Sequence, residues 1–366
     1  MSKEAIQERA PLIDEAYPEI SLAHLDNLTD RTGVIQHAIY SIPNRRTGYT
    51  TDDNSRALIV AVRHYEMTGS RKALQLVSTY LSFLHYAQLP NGRFHNFMSF
   101  DQTWLDGEGS EDCHGRTLWA LGQCLAAEIH ANVKEVAKEL FQQGLWIPET
   151  CVYSRGLAYS ILGLALGCQA LDDSDEAAEV LKICADKLVQ LYKANATAEW
   201  PWFEAYLTYS NALLPRALVR AYDVLKDPEY LEIAENSWQF LESQCVIDGI
   251  LQLIGCNGWY HRGKERAWFD QQPIDAMMME LAALDMYEVT GKEQYLKTAK
   301  ISLDWFFGKN AVGVSLHDPV TGGCFDGLKP SGRNRNQGSE STIAGLLSQI
   351  EMAPYVRNGR ALFIDD

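Results

Sequence analysis

One pattern recurs three times along the chain and constrains its fold more than any other feature. A tyrosine is followed by a leucine nine positions later and by an aromatic residue eighteen positions later, in the segments 65–84, 222–241 and 287–306. The pattern predicts a helix that ends, a tight turn and a second helix that runs back. A unit repeated in this way indicates an architecture built from helical hairpins.

Two kinds of helix alternate around this pattern. Apolar helices rich in Ala, Gly and Ser recur about every 57 residues, near Ala57, Leu118, Leu157, Pro215, Ile274 and Ile343. More polar partner helices are predicted near 70–88, 132–143, 175–192, 228–243 and 293–307, and the segment 20–39 supplies a sixth. Signals for strands are short and few. The sequence therefore predicts an all-α fold in which six inner and six outer helices close a ring, as a single domain over residues 1–366.

Charge and composition exclude several classes of function. Acidic residues outnumber basic ones 48 to 32, for a net charge of −16, which disfavours nucleic acids and anionic membrane surfaces as partners. Neutral or cationic small molecules remain the expected ligands. The N-terminal segment lacks the apolar core of a signal peptide, and the longest apolar stretch, residues 158–167, is too short to cross a bilayer. The eight cysteines include no CxxC pair, so we expect reduced thiols in a cytoplasmic protein.

Five local motifs carry a resemblance to known proteins. TTDDNSRAL, GSEDCHGRTLWALG, WPWFEAYLTYSNALLPRAL, DQQPIDAMMM and NRNQGSEST, together with the hairpin count, resemble the six-hairpin glycosidase superfamily, whose fold is the (α/α)6 toroid. The motifs look like those of bacterial proteins encoded near or fused to glycosyltransferases. The resemblance implies a carbohydrate-active enzyme with an oligosaccharide or glycoconjugate substrate. It implies no metal and no organic cofactor.

The segments that precede the inner helices are the expected place for a site. Five of the six are polar and aromatic, and parallel inner helices bring them to one end of the ring, where a concave site forms. Flat aromatic faces suit the apolar faces of sugar rings, while carboxylates and amides bind the hydroxyls. Alternatively, these aromatic residues only seal loops onto the core. Five tryptophans lie in such segments: Trp104, Trp200, Trp202, Trp259 and Trp268.

Glycoside hydrolysis usually needs two carboxyl groups, one protonated and one ionised. Glu204 is the predicted proton donor, because a carboxyl among aromatic rings has a raised pKa. Asp52 or Asp53 is the predicted base or nucleophile, with Glu111 and Asp112 as the nearest substitutes. Adjacent acids repel each other, which raises the pKa of one of them. Each acid near a helix start is also explained by capping or by the helix dipole.

Resemblance adds one detail to this pair of acids. Asp52 and Asp53 are similar in type to the Asp–Asp pair of the bacterial endo-α-1,6-mannanases, which favours mannose-containing glycans. The aromatic residues that usually precede that pair are absent here. The predicted substrate-binding residues are Arg56, Trp104, His114, Arg116, Trp202, Tyr209, Asn211, Trp268, Asp270, Gln271, Asp275, Asn336, Gln337 and Glu340.

Two other functions remain open at this stage. His95, His114 and His261 keep open a sugar 2-epimerase or isomerase, in which paired histidines move a proton beside a carbonyl. A non-catalytic glycan-binding partner of a glycosyltransferase would keep the tryptophans but lack suitably spaced carboxyl groups. The chain has no HExxH, GxSxG or GxxxxGK[ST] motif, so zinc, serine-nucleophile and phosphate-loop chemistry are not indicated. The sugar, the linkage and the oligomeric state stay undetermined.

Overall fold

A computed structural model describes residues 13–357. Within that part of the chain, twelve helices follow one another: α1 (Ala23–Leu28), α2 (Thr51–Thr68), α3 (Arg71–Ala87), α4 (Glu111–Ala126), α5 (Ala131–Gly144), α6 (Ser154–Ala170), α7 (Asp175–Asn195), α8 (Leu213–Leu225), α9 (Pro228–Cys245), α10 (Pro273–Thr290), α11 (Glu293–Phe306) and α12 (Ser339–Met352). Each even-numbered helix contacts the next even-numbered one, and α12 contacts α2, which closes a ring. Each inner helix from α2 to α10 packs against the outer helix that follows it. The predicted (α/α)6 toroid is confirmed.

Ten short strands lie in the connections between the helices of residues 13–357. They are β1 (Ala38–Ile39), β2 (Ile42–Pro43), β3 (Tyr49–Thr50), β4 (Phe97–Met98), β5 (Tyr206–Leu207), β6 (Val246–Ile247), β7 (Ile250–Leu251), β8 (Tyr260–His261), β9 (Gly327–Lys329) and β10 (Gly332–Asn334). All pair antiparallel, as β1–β2, β3–β4, β5–β8, β6–β7 and β9–β10. The pairs β3–β4 and β5–β8 join segments that precede different inner helices, so they hold neighbouring loops together at one end of the ring.

The repeated tyrosine pattern has a common structural cause. In all three copies the residue four positions after the tyrosine ends a helix in the left-handed region, at Gly69 (φ 70°), Lys226 (φ 58°) and Gly291 (φ 71°). Its N–H donates to the carbonyl of that tyrosine, at 2.7, 2.9 and 2.8 Å. This cap reverses the chain and starts the outer helix of each hairpin.

Small residues allow the inner helices to approach closely. The clearest case is the α4–α6 contact, where Gly122 faces Gly163 and Gly115 faces Gly156. A Cβ atom on Gly163 would meet the backbone of Leu118, which no rotamer change could relieve. The glycines seen in the sequence as signs of crowding are therefore requirements of this helix pair.

Two sequence-based expectations differ from the structure. The inner helices begin one to seven residues earlier than their apolar periodicity indicates, and the difference is largest for α2 and α4, whose first turns are polar. The predicted sixth outer helix over 20–39 is wrong: only Ala23–Leu28 is helical there. The Asp30 side chain accepts the N–H of Thr32 at 2.8 Å, and Val34 donates to the Asn54 side chain at 3.0 Å, so the chain turns instead of continuing a helix.

Further findings concern membranes and thiols. No helix in residues 13–357 is both long and apolar enough to cross a membrane. All eight cysteines are unpaired, and only Cys168 and Cys256 are partly exposed. A cytoplasmic location stays a prediction.

Candidate active site

A cavity of about 1140 Å³ opens at the end of the ring where the inner helices begin. Every inner helix contributes its first turn or the segment before it, so the polar segments meet as the sequence predicts. The side chains that line it include Asp52 from α2, Asp106, Glu108, Asp112 and Arg116 before and in α4, Tyr153, Ser154 and Arg155 before and at the start of α6, Glu204, Tyr206, Thr208 and Tyr209 before α8, Cys256, Trp259, His261, Gln272 and Ile274 before and at the start of α10, and Glu340 from α12.

Arg116 joins two of the predicted carboxylates. It donates from Nη1 to Asp52 Oδ1 at 2.8 Å and from Nη2 to Asp112 Oδ2 at 3.3 Å. Asn96 donates to the other oxygen of Asp52 at 3.0 Å. Burial acts to raise the pKa of Asp52, but Arg116 and Arg56 outweigh it and lower the pKa. One guanidinium therefore holds both carboxylates at the same place in the cavity wall.

Glu204 is held by a second arginine. Arg155 donates to both carboxylate oxygens of Glu204, at 3.0 and 3.1 Å, and the Ser154 hydroxyl donates at 2.6 Å. Trp202 is fully buried and packs edge-on against Phe203, with ring centres 5.3 Å apart. The Glu204 carboxyl is therefore held by Arg155 and Ser154 and not by the rings of Trp202 and Phe203, and Trp202, which is fully buried, is wrong as a sugar-binding residue. Its aromatic neighbours position the backbone of the segment.

Tyr209 connects these two groups. Its hydroxyl donates to Asp112 Oδ2 at 2.7 Å, and its ring centre lies 4.7 Å from the guanidinium carbon of Arg155. Arg155 also donates from Nε to the Tyr209 carbonyl at 2.7 Å. Burial raises the pKa of Tyr209, so its hydroxyl stays a donor. The next residue, Ser210, has a φ of 47° and donates its N–H to Asp275 Oδ1 at 2.5 Å.

Asp275 lies just behind the cavity wall, next to Ile274. It is 4% exposed, and its Oδ2 is buried without a hydrogen-bond partner among the described residues. Burial raises the pKa of Asp275 to about 7. This predicted binding residue therefore anchors the turn that carries Tyr209, and its carboxyl changes charge near neutral pH.

Two of the predicted catalytic acids do not reach the cavity. Asp53 is buried, pairs with Arg56 at 2.9 Å and accepts from the Thr50 hydroxyl at 2.7 Å. Arg56 in turn holds Glu340 at 2.8 Å, so it acts on the cavity wall through that residue. Glu111 accepts the N–H groups of Val152 at 3.0 Å and Tyr153 at 2.9 Å, which fixes the chain before α6. Asp53 and Glu111 are therefore not retained as catalytic candidates, because neither lines the cavity and both carboxylates hold neighbouring parts of the chain in place.

Several predicted binding residues also have structural roles away from the cavity wall. His114 contacts the carbonyl of Gly144 at 3.1 Å, and burial lowers its pKa to about 3. Trp104 stacks on the His95 ring at 4.7 Å. The Asn211 side chain closes the turn around Thr208. These residues shape the loops and do not line the cavity.

The remaining predicted residues lie on two neighbouring segments. Gln271 is buried and accepts from Trp305 Nε1 at 3.0 Å. Trp268 is exposed beneath the Arg266 guanidinium, 4.2 Å from its ring centre. Asp270 receives the N–H of Cys256 on its carbonyl. Asn336 accepts from the Tyr40 N–H, and Gln337 bonds Asp318 and Thr321. None of these five lines the cavity.

Sequence reasoning missed Arg155 and the aromatic residue Tyr153, and it considered Tyr206 only as a hydrogen-bonding group for sugar hydroxyls. The two tyrosines are exposed at the cavity, where flat rings can contact sugar faces. The signal for Arg155 was an arginine at the start of an otherwise apolar helix, as at Arg56 and Arg116.

Histidines contribute little to this cavity. Of the nine in the chain, all within the described residues, only His261 lines it. The paired histidines required by the epimerase hypothesis are therefore not found there.

Comparisons with known proteins bear on the fold. No family model and no curated protein matches the chain. Solved structures do match: a sugar epimerase from a ruminal bacterium has 14% identity and a TM-score of 0.68 over 90% of this chain and 95% of that chain. A GH76 α-mannanase from Bacteroides thetaiotaomicron has 12% identity and a TM-score of 0.64, over 90% and 92%. The chain therefore has the (α/α)6 toroid fold of these structures. A cellobiose 2-epimerase from Bacillus thermoamylovorans matches equally well, at 13% identity and a TM-score of 0.68, over 91% and 96%.

Proposed function

We propose that the chain is a carbohydrate-active enzyme, a glycoside hydrolase that cleaves an oligosaccharide or glycoconjugate in the cavity described above. One observation carries the proposal: three carboxylates, Asp52, Asp112 and Glu204, line the same cavity and are held in place by two arginines. Exposed tyrosines at the same place supply faces for sugar rings. The matching structures include hydrolases as well as epimerases, and the carboxylates favour the hydrolases.

Among the three carboxylates, Asp52 is the proposed base or nucleophile. Arg116 and Arg56 lower its pKa, so it is ionised at neutral pH. Glu204 or Asp112 then donates the proton to the leaving oxygen. Both face the cavity, and Tyr209 and Arg155 connect them. The earlier preference for mannose depended on Asp52 and Asp53 acting together, and Asp53 is occupied by Arg56, so we assign no particular sugar.

A product analysis tests this proposal. Manno-, gluco- and galacto-oligosaccharides are incubated with the protein, and products are identified by mass spectrometry and NMR. New reducing ends that disappear in Asp52→Asn support hydrolysis. Glu199→Gln changes an exposed glutamate in the same segment as Glu204 and should leave the rate unchanged. An epimer at constant mass would establish an epimerase, and binding of a glycan without any product would establish a binding module.

Rates on a substrate with a better leaving group identify the proton donor. A glycosyl fluoride of the cleaved sugar needs little acid assistance, because fluoride leaves readily as an anion. The variant that loses the donor, either Glu204→Gln or Asp112→Asn, should therefore keep most of its rate on the fluoride and lose it on the natural linkage. Asp52→Asn should lose activity on both substrates. If both donor variants behaved like Asp52→Asn, neither residue would be the donor.

A further inference from the structure

The charge of the cavity wall is strongly one-sided. Six carboxylates line it within the described chain: Asp52, Asp106, Glu108, Asp112, Glu204 and Glu340. Two guanidiniums, those of Arg116 and Arg155, face them, which leaves a formal charge of −4 with His261 neutral. Clefts lined by one sign of charge concentrate ligands of the opposite sign and repel ligands of the same sign.

Neither arginine is free to receive an acidic substrate. Arg116 bonds Asp52 and Asp112, and Arg155 bonds both oxygens of Glu204 and the Tyr209 carbonyl. A substrate carboxylate that took either guanidinium would leave a wall carboxylate in the cavity without its cation. Uncompensated charges of this kind are strongly unfavourable when partly buried. Behind the wall, Arg56 is likewise occupied, by Asp53 and Glu340.

We propose, resting on the proposed function, that the cavity selects glycans without acidic groups, namely neutral or amino-bearing sugars, and rejects uronic, sulfated and phosphorylated ones. The wall supplies the selection by repulsion, a common route to specificity. Hydroxyls and amines donate hydrogen bonds, and carboxylates accept them. The chemistry of the wall thus matches sugars that carry these groups.

A cysteine in the wall allows the potential to be measured directly. Cys256 lines the cavity and is partly exposed. Cys168, the other partly exposed cysteine, lies near the far end of α6, about 20 Å along the helix axis from the residues of α6 that line the cavity. The remaining six cysteines are buried. Cys168 is therefore a control within the same molecule.

The experiment compares two thiol reagents of similar size, methanethiosulfonates that carry a trimethylammonium or a sulfonate group. Rates at each cysteine are followed by mass spectrometry of peptides from the intact protein. The ratio of cationic to anionic rate should be at least about tenfold higher at Cys256 than at Cys168, and added salt should reduce the difference. The ratio cancels differences in thiol reactivity, because both reagents attack the same thiolate.

Two double variants test whether the carboxylates of the cavity wall cause the high rate ratio at Cys256. Glu108→Gln with Glu340→Gln removes two charges from the wall and should lower the ratio at Cys256. Glu176→Gln with Glu179→Gln removes two exposed charges from the outer helix α7 and should not. A ratio at Cys256 equal to or below that at Cys168 would overturn the proposal. So would a Cys256 that reacts with neither reagent, because selection of a substrate by the wall requires a cavity that is open to solvent.

Glycan protection then tests the substrate class. β-1,4-linked oligomers of glucosamine, glucose and glucuronic acid share a ring and linkage, and those that enter the cavity should slow modification of Cys256. Protection by the glucuronic acid oligomer as strong as by the others would contradict the inference. The ratio of cationic to anionic reagent rates at Cys256 does not depend on catalysis. If the ratio is high but no glycan is cleaved, the charge selection is supported and only the proposed hydrolysis fails.

Discussion

Replacing Asp275 by Asn should stabilise the protein at alkaline pH more than at acidic pH. The Asp275 carboxyl is buried and accepts one backbone N–H, from Ser210, while its second oxygen has no partner among the described residues. Arg155 acts to lower its pKa, but burial dominates and raises the pKa from 3.8 to about 7. Ionisation of this group therefore disfavours the folded state.

The magnitude follows from linkage. Between pH 3.8 and about 7 the folded protein holds the proton more tightly than the unfolded chain does. The contribution of Asp275 to the free energy of unfolding is therefore most favourable at low pH and becomes less favourable as the pH rises towards 7. At about 1.4 kcal/mol per pKa unit, the Asp275 carboxyl lowers the free energy of unfolding by about 4 kcal/mol at pH 8 and by about 2 kcal/mol at pH 5. An asparagine carries no charge and keeps an oxygen that can accept from Ser210.

Urea unfolding followed by circular dichroism at pH 5 and pH 8 measures this difference. The difference in free energy of unfolding between Asp275→Asn and the natural protein should be about 2–3 kcal/mol more favourable to the variant at pH 8 than at pH 5. Other titrating groups cancel, because the two proteins are compared at each pH. The same substitution at exposed Asp172, between α6 and α7, should show no gain. A difference independent of pH, or a variant that loses stability at pH 8, would refute a raised pKa at Asp275.

Two further predictions concern stability. Arg116→Gln should lower the free energy of unfolding by about 3–5 kcal/mol, because it leaves two carboxylates without their cation. The same substitution in the Asp52→Asn variant should cost less, because only one carboxylate then loses its cation. Equal losses in the two proteins, measured by urea unfolding, would contradict the pairing of Arg116 with Asp52. Gly163→Ala should cost about 2 kcal/mol, because its Cβ meets the backbone of Leu118, whereas Gly107→Ala, which meets no atom within 4 Å, should be neutral in the same measurement.

Hydrophobic periodicity was sufficient to predict the hairpins. The outer helices α3, α5, α7, α9 and α11 begin and end within about three residues of the predicted bounds, because each has one apolar and one polar face. Starts of the inner helices were placed too late, since their first turns carry Asp, Glu and Arg and show no apolar period. The helix predicted over 20–39 failed because Asp30 and Gly33 form a turn whose contacts, such as that of Asn54, come from a distant part of the chain.

The candidate site was predicted in outline and not in detail. Its location at the starts of the inner helices follows from their common direction, which the alternation of helices already implies. Which acid of an adjacent pair faces the cavity does not follow, because successive helical residues point about 100° apart and the helix rotation is set by packing. Thus Asp52 faces the cavity and Asp53 does not, while Asp112 faces it and Glu111 binds the chain before α6.

In this fold an acidic residue can interact with a helix dipole and line the cavity at the same time. Asp52, Asp112 and Glu340 each lie in the first turn of an inner helix, where the helix dipole favours a negative charge. Because all the inner helices begin at the cavity, their dipoles act together on the carboxylates that line it. A ring of parallel helices can therefore place several acidic side chains around one cavity, with two arginines facing them. The residues that begin the helices and those that would act on a glycan are then the same residues.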